Sequence, residues 1–197
     1  MSEGENEKKF IAAQELLEDS FHLGIKILES EFKPHFIVGI WRGGTPVGIA
    51  VQELLDYFGV ETDHIAIRTS SYTGINRRGE QIMVHGLGYI VDNTHSEDGL
   101  LIVDDVYDTG LSVAAVLESL RERARKNTPH DIRIATVYYK PGNNQTDRVP
   151  DYFIHETDQW LVFPHELKGL TTAEIAKHKP YAAEFIKGAN TNNDENQ

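Results

Sequence analysis

A string of thirteen residues, from Leu100 to Ser112, holds most of the side chains in this sequence that suit binding of a charged ligand. It reads Leu-Leu-Ile-Val-Asp-Asp-Val-Tyr-Asp-Thr-Gly-Leu-Ser: an apolar run, two adjacent carboxylates and a loop of small polar residues. A loop that opens a helix offers free backbone N–H groups and the positive end of the helix dipole, which together bind anions. The string therefore predicts a phosphate site beside a pair of carboxylates.

The two carboxylates, Asp104 and Asp105, need a ligand group other than the phosphate, because like charges repel. Carboxylates accept hydrogen bonds from vicinal hydroxyl groups and also hold metal ions such as Mg²⁺. In the loop, the Thr109 and Ser112 hydroxyls add donors, and Gly110 lets the backbone approach a ligand closely. One phosphate cradle beside one pair of hydroxyl acceptors describes a site for ribose 5-phosphate.

This string resembles the motif that binds phosphoribosyl pyrophosphate (PRPP) in the type I phosphoribosyltransferases. The alternative, an acidic strand end with Asp108 or Thr109 as a plain helix N-cap, accounts for less of it. The resemblance implies that Asp104 and Asp105 bind the ribose hydroxyls and Mg²⁺. It also implies that Asp108 is the catalytic acid or base near N7 of a purine. Leu111 departs from the glycine or lysine common there, but its backbone N–H can still serve. The implied PRPP-binding residues are Asp104, Asp105, Asp108, Thr109, Gly110, Leu111 and Ser112.

A second loop, Ile40-Trp-Arg-Gly-Gly-Thr45, follows the first predicted core strand. Taken alone, it reads equally well as an ordinary turn. It resembles the pyrophosphate loop of the same family, in which Arg42 and the Gly43 backbone contact the leaving group. The family often carries a strained peptide bond at this place, and the resemblance implies that it would be the bond between Trp41 and Arg42.

A third segment, residues 69–79, is polar and contains glycine, and we predict a mobile loop there. Its Ser71 and Tyr72 resemble the Ser-Tyr pair on the loop that closes over PRPP, so the resemblance places them at the pyrophosphate. Closure excludes water from the reaction. Arg77 and Arg78 are either solvated or near the pyrophosphate.

The remaining motifs concern the base. Lys140 follows a predicted strand, where a surface lysine in a turn is the alternative interpretation. The resemblance makes Lys140 a donor to the exocyclic 6-oxygen of a purine and makes Trp160 the ring that stacks on it, although Trp160 also suits a core. The resemblance also implies that the Leu161 backbone contacts the edge of the base and that Glu166 binds a second Mg²⁺. His165 and Glu166 differ from the residues of some relatives, which leaves the base preference open.

Helices and strands alternate along the chain, which predicts an α/β fold with a mostly parallel sheet flanked by helices. In such folds ligands bind at the carboxyl ends of the strands, here just after Ile40, Val103 and Tyr139. We expect one domain, 1–197, with a core of about 35–140 and a hood from about 141–170 plus the terminal segments. The predicted helices are 10–32 (with Leu16, Leu17, Phe21, Ile25 and Leu28 as its apolar face), 46–58, 111–125 (with Val113, Val116, Leu117 and Leu120 on one face) and 172–187 (interrupted at Pro180). The predicted strands are 35–40, 64–68, 81–91 (or a hairpin arm), 100–103, 132–139 and 152–155.

Composition narrows the class of protein. The net charge of −12 argues against a broad nucleic-acid or anionic membrane surface. No apolar run approaches the ~18 residues of a membrane span, and the polar N-terminus does not resemble a signal peptide. The absence of cysteine excludes disulfides and a thiol nucleophile and fits a cytoplasmic protein. By analogy with the family we expect a homo-oligomer, a dimer or tetramer.

Together the resemblances imply Mg²⁺-dependent transfer of the phosphoribosyl group from PRPP to a 6-oxopurine (hypoxanthine, guanine or xanthine) in purine salvage. Two alternatives share the fold: a PRPP-sensing regulator without enzymatic activity, and a phosphoribosyltransferase for a pyrimidine base. A third, an unrelated α/β domain such as a phosphoacceptor receiver, leaves residues 140–166 unexplained.

Overall fold

A computed structural model of the chain describes residues 8–72 and 81–186. The chain divides into two compact units, a larger one of Gln14–Asp158 and a smaller one made of Met1–Ala13 with Gln159–Gln197. The described strands are β1 (Lys8–Phe10), β2 (Phe36–Trp41), β3 (Asp63–Tyr72), β4 (Gln81–His85), β5 (Gly99–Tyr107), β6 (Asp131–Tyr139), β7 (Tyr152–Glu156) and β8 (Trp160–Val162). The described helices are α1 (Ala13–Glu29), α2 (Gly44–Tyr57), α3 (Gly88–Asn93), α4 (Leu111–Ala124) and α5 (Thr172–His178).

A sheet with the strand order β4-β3-β2-β5-β6-β7 forms the centre of the larger unit. Its neighbours pair in parallel, except for the antiparallel pair of β3 and β4. The apolar runs of β2 and β5 are almost fully buried, as expected of central strands whose two faces are both covered. The prediction of an α/β fold with a mostly parallel sheet is thus confirmed.

Helix α4 packs on the sheet through the face that the sequence predicted. Val113, Val116, Leu117 and Leu120 are buried in one apolar cluster with strands β2, β5 and β6. The spacing of three and four residues places these side chains on one side of the helix. This packing sets the start of α4 against the end of β5, where the predicted ligand loop lies.

The buried face of helix α1 matches the predicted one only in part: Leu16 is buried, and Ile25 and Leu28 are partly buried. Leu17 and Phe21 are exposed, whereas the buried residues include Ser20 and Gly24. The reason is close packing on α2: a Cβ atom on Gly24 would lie 2.6 Å from the Leu54 side chain. The contact face therefore contains small residues as well as large apolar ones, and a search for large apolar residues finds only part of it.

Strand β3 is longer than predicted, because β4 pairs with its second half in the register Ser71↔Ile82. Residues 69–72 are therefore strand, and the prediction of a loop is wrong for them. The rest of that predicted loop, including Arg77 and Arg78, lies outside the described residues. The predicted strand 81–91 is confirmed only to His85, because Gly86, at φ +87°, turns the chain into α3.

The smaller unit contains the parallel strand pair of β1 and β8 and the helix α5. A capping box starts α5: the Thr171 hydroxyl accepts from the Glu174 N–H, and the Glu174 carboxylate accepts from the Thr171 N–H. The helix is interrupted at Lys179, and residues 180–186 are helical again, which confirms the predicted interruption at Pro180. Residues 141–158 of the expected hood group with the larger unit, where β7 extends the sheet. None of the helices in the described ranges is long and apolar enough to cross a membrane.

Candidate functional site

The predicted acidic pair lies in β5, a few residues before that strand ends. Asp105 is buried and Asp104 is partly exposed, and the Asp105 N–H donates to the Asp104 carboxylate at 3.0 Å. Although part of Asp104 is exposed, its carboxyl group is surrounded by protein, and this desolvation, followed by the charge of Asp105, raises the pKa of the Asp104 carboxyl well above its usual range. Two carboxyl groups so close together hold negative charge at a cost, which hydroxyl donors or a cation would offset.

The predicted pyrophosphate loop lies directly against this acidic pair. A Cβ atom on Gly43 would stand 1.9 Å from the Asp105 carboxylate, and one on Gly44 would stand 2.2 Å from the Val103 carbonyl oxygen. Only glycine allows this approach at either position. The peptide bond between Trp41 and Arg42 is cis, at the place where the resemblance led us to look, and the Arg42 side chain is exposed.

The predicted phosphate loop joins β5 to α4. Gly110, at φ +76°, begins the helix, and a Cβ atom there would stand 2.6 Å from the Tyr107 hydroxyl and 2.8 Å from the Thr146 hydroxyl. The first N–H groups of α4 have no acceptor within the helix, so they are available to an anion. The Thr109 hydroxyl lies 3.4 Å from the Leu111 nitrogen, at the long limit of a hydrogen bond.

The side chain of Asp108 sits between two donors from the segment that follows β6. The Lys140 ammonium donates to Oδ2 at 3.2 Å, and the Asn143 amide donates to Oδ1 at 2.7 Å. Lys140 is almost fully buried, whereas 42% of the Asp108 side-chain surface is exposed. The geometry therefore presents an acceptor and a cation side by side at the carboxyl ends of adjacent strands.

The segment after β6 is itself tied to the end of β5. The Lys140 N–H donates to the Tyr107 carbonyl at 2.9 Å, and the Tyr107 hydroxyl lies 3.0 Å from both the Thr146 hydroxyl and the Arg148 carbonyl. The Gly142 N–H donates to the Asp158 carboxylate at 3.0 Å. These bonds fix the position of the Lys140 turn relative to Asp108.

Two residues at this site escaped the sequence analysis. Asn143 ends a short 3₁₀ turn, Pro141–Asn143, in which residues three apart lie over one another, so its spacing from Lys140 was an available signal. The Thr69 hydroxyl lies 3.4 Å from the Ser112 hydroxyl. It was missed because residue 69 was assigned to a loop rather than to β3.

Ser71 and Tyr72, predicted to contact pyrophosphate, are the last two residues of β3. Ser71 is exposed. The described backbone places both residues in the antiparallel pair with β4, opposite Ile82 and Gln81.

The three other predicted residues belong to the smaller unit. Trp160 is 59% exposed, with the Lys8 ammonium 5.9 Å from its ring centroid, and Leu161 is buried in β8. The Glu166 carboxylate accepts from the Phe163 N–H at 3.0 Å. The Lys179 ammonium donates to the Phe163 carbonyl at 2.5 Å. Burial lowers the pKa of Lys179, although the charge of Glu166 opposes this change.

Across residues 8–72 and 81–186, no three His, Asp or Glu side chains come together as a metal site. Any metal ion here needs ligands from a substrate or from water as well. Asp104 and Asp105 fit that requirement, because Mg²⁺ in enzymes is usually held by one or two carboxylates together with substrate oxygens and waters.

Comparison with known proteins found a matching family and similar structures. The model of the phosphoribosyl transferase domain matches residues 9–168. A hypoxanthine-guanine phosphoribosyltransferase from Lactococcus lactis subsp. lactis (strain IL1403) is 30% identical over 89% of this chain and 88% of its own length. Another, from Bacillus subtilis (strain 168), is 25% identical over 89% and 91%. The crystal structure of a purine phosphoribosyltransferase from Pyrococcus horikoshii Ot3 aligns with a TM-score of 0.64 and 27% identity, covering 83% of this chain and 97% of the other.

Proposed function

Since this chain belongs to the phosphoribosyl transferase domain family, we propose that it transfers the 5-phosphoribosyl group of PRPP to a 6-oxopurine base. The observation that carries the proposal is the contact of Lys140 with Asp108 at 3.2 Å. A 6-oxopurine presents an acceptor, O6, beside a ring nitrogen, N7, that can carry a proton. A cation beside a carboxylate complements that edge, whereas the 6-amino group of adenine would face the lysine with a second donor.

In the proposed reaction the C1′–O bond of PRPP breaks, its electron pair leaves with pyrophosphate, and a bond forms between C1′ and N9 of the base. Asp104 and Asp105 accept hydrogen bonds from the ribose hydroxyls, while the loop 108–112 binds the 5-phosphate. Arg42 and the Gly43 backbone face the departing pyrophosphate, which they stabilise electrostatically. Asp108 accepts the proton from N7, a step that contributes roughly 10²–10⁴-fold when a side chain is well placed.

We propose that Mg²⁺ takes part, because an acidic protein with few cations at this site must bind a highly charged substrate. Asp104 and Asp105 would hold the ion together with substrate oxygens. When bound, Mg²⁺ would neutralise charge on pyrophosphate.

Four further assignments follow from the resemblance. Trp160 offers an exposed ring for stacking on the base, and the Leu161 backbone reads the base edge. Glu166 would hold a second Mg²⁺. Ser71, with Tyr72, contacts the pyrophosphate. Single substitutions to alanine test the side-chain contacts with the substrates: loss of the Trp160 ring should raise KM for the base, and loss of the Ser71 or Tyr72 side chain should raise KM for PRPP.

The experiment that tests the function measures nucleotide and pyrophosphate formation from PRPP and Mg²⁺ with hypoxanthine, guanine, xanthine, adenine, orotate and uracil in parallel. The variant Asp108→Asn keeps the size of the side chain and removes the carboxylate that we propose as the proton acceptor. We expect turnover with at least one 6-oxopurine and a loss of about 10²-fold or more in the variant.

Other outcomes would replace the proposal. Turnover with orotate or uracil alone would identify a pyrimidine enzyme. Tight PRPP binding without turnover on any base would favour the PRPP-sensing regulator. Sedimentation of the same preparation tests the expected dimer or tetramer.

A further inference from the structure

We propose that Asn143 is a positioning residue, which holds the Asp108 carboxylate in the orientation that accepts the proton from the base. The inference rests on the proposed function and adds a residue to it. Its basis is the 2.7 Å hydrogen bond from the Asn143 amide to Oδ1 of Asp108, the shorter of the two bonds to that carboxylate.

Asp108 needs such a restraint because of where it lies. It sits on the loop between β5 and α4, and 42% of its side-chain surface is exposed. A carboxylate on an exposed loop turns freely about its side-chain bonds, whereas proton transfer requires one oxygen to stay within hydrogen-bond reach of the base. Asn143 binds Oδ1 and leaves Oδ2 facing Lys140.

Asn143 is itself held in place by its turn. Asn143 closes the turn that starts at Lys140, with its N–H donating to the Lys140 carbonyl at 3.2 Å. The Gly142 N–H is bonded to Asp158, and a Cβ atom on Gly142 would stand 2.9 Å from that carboxylate. Two hydrogen bonds therefore hold the turn, one at Gly142 and one at Asn143, and the amide reaches Asp108 from a fixed position.

The chemistry of the two donors differs in a way that suits their roles. Lys140 carries the charge that complements a 6-oxo group, and its ammonium has three N–H donors to share between Asp108 and the base. Asn143 is neutral, so it orients the carboxylate without placing a second cation beside it, and a second cation would compete with the incoming proton. When the base engages Lys140, Asn143 keeps Asp108 in place.

Asparagine is also a common turn residue, and a purely structural role predicts different behaviour on substitution. Aspartate has the same shape and serves as well in turns. Asn143→Asp therefore leaves a structural role intact, while it removes the donor to Asp108 and places a like charge against it. Gln145→Glu is the matched control, because it adds the same charge with the same shape at an exposed position of the same segment.

The test compares steady-state kinetics of the wild type, Asn143→Ala, Asn143→Asp and Gln145→Glu with PRPP and the best 6-oxopurine. We expect kcat to fall about tenfold in Asn143→Ala and further in Asn143→Asp, with KM for PRPP within about twofold and kcat of Gln145→Glu unchanged. In an Asp108→Asn background, Asn143→Asp should cause no further loss. Wild-type kcat in Asn143→Asp, or an equal loss in Gln145→Glu, would overturn the inference.

A second measurement separates this inference from the proposed function. The side-chain amide resonance of Asn143 in a ¹⁵N-labelled protein should shift in Asp108→Asn, whether or not the protein turns over PRPP. A wild type without turnover sinks the proposed function and the positioning role with it, even if the resonance shifts. If the wild type turns over but the Asn143 resonance does not shift in Asp108→Asn, the contact is absent in solution. That result overturns the inference and leaves the proposed function standing.

Discussion

Asp105 and Gly43 illustrate how closely the loop after β2 approaches strand β5 at this site. The Asp105 carboxylate fills the space where a side chain on residue 43 would begin. The predicted pyrophosphate loop and the acidic end of β5 therefore pack against each other, and we expect a change in either to displace the other.

Gly43→Ala tests this packing. A methyl group there would stand 1.9 Å from Oδ2 of Asp105, so we expect the loop to move and kcat/KM for PRPP to fall at least tenfold. The matched control is Gly48→Ala in α2, where the nearest atoms would lie at 3.9 Å and 4.0 Å. That change should leave activity intact and raise the free energy of unfolding by about 0.5–1 kcal/mol, since alanine favours a helix. Equal activity in both variants would contradict the packing argument.

Asp104 holds a charge that folding disfavours. Its carboxyl has a raised pKa in the folded state, so the folded protein binds that proton more tightly than the unfolded chain does. Stability therefore falls as pH rises from about 3.8 through the raised folded pKa, and the cost is present in full above that value.

Asp104→Asn removes this cost together with the carboxylate that we propose as the acceptor for a ribose hydroxyl. We expect Tm at pH 7.5 to rise by about 2–4 °C, the shift that ~1 kcal/mol causes in a chain of this size. PRPP affinity, measured by calorimetry, should fall at least tenfold. The gain in Tm should shrink toward pH 4. A fall in Tm at pH 7.5 would show that the carboxylate stabilises the fold instead.

At the scale of the elements, helix α5 begins with a capping box. Glu174 serves two partners there, the Thr171 N–H of the capping box and the Lys8 ammonium at 2.7 Å. The hydrogen bond from Lys8, followed by those from Thr171, lowers the pKa of Glu174 to about 2. One carboxylate thus joins the N-terminal strand to the C-terminal helix within the smaller unit.

The lowered pKa predicts an acid-sensitive contribution to stability. A carboxyl with a folded pKa below its unfolded value stabilises the protein above the unfolded pKa, here about 4.5, and loses that effect as pH falls toward about 2. Glu174→Gln cannot titrate, so the difference in Tm between wild type and variant should shrink between pH 5 and pH 2. Glu184→Gln, an exposed glutamate of the same unit, controls for loss of one charge. A difference that stays constant with pH would contradict the assignment.

At the scale of the whole molecule, charge opposes the proposed substrate. The net charge is −12, and PRPP is a polyanion, so long-range forces repel it while Arg42, Lys140 and the start of α4 attract it locally. Salt screens long-range forces between exposed charges more strongly than short contacts.

The balance of these forces sets the salt dependence. We expect kcat/KM for PRPP to rise when ionic strength increases from about 20 to about 150 mM at fixed free Mg²⁺, because repulsion is screened first. Steady-state kinetics in a non-binding salt measure this. A steep fall would show that local cations, rather than net charge, govern the approach of PRPP.

Sequence patterns were reliable where short segments carry the information. The apolar run before Asp104, the spacing along α4 and the glycine-rich segments indicated strands, helices and the loops between them without any tertiary contact. Parallel strands joined by helices then required the loops after β2, β5 and β6 to meet at one edge of the sheet. The α/β class and the order of the candidate residues along the chain were therefore readable in advance.

Other features depended on contacts between segments far apart in the chain. The buried face of α1 follows from Gly24 against Leu54, and the extension of β3 follows from its pairing with β4. The bond from Asn143 to Asp108 joins residues 35 positions apart. Local periodicity carries no signal for such contacts, because they arise only when folded elements pack together.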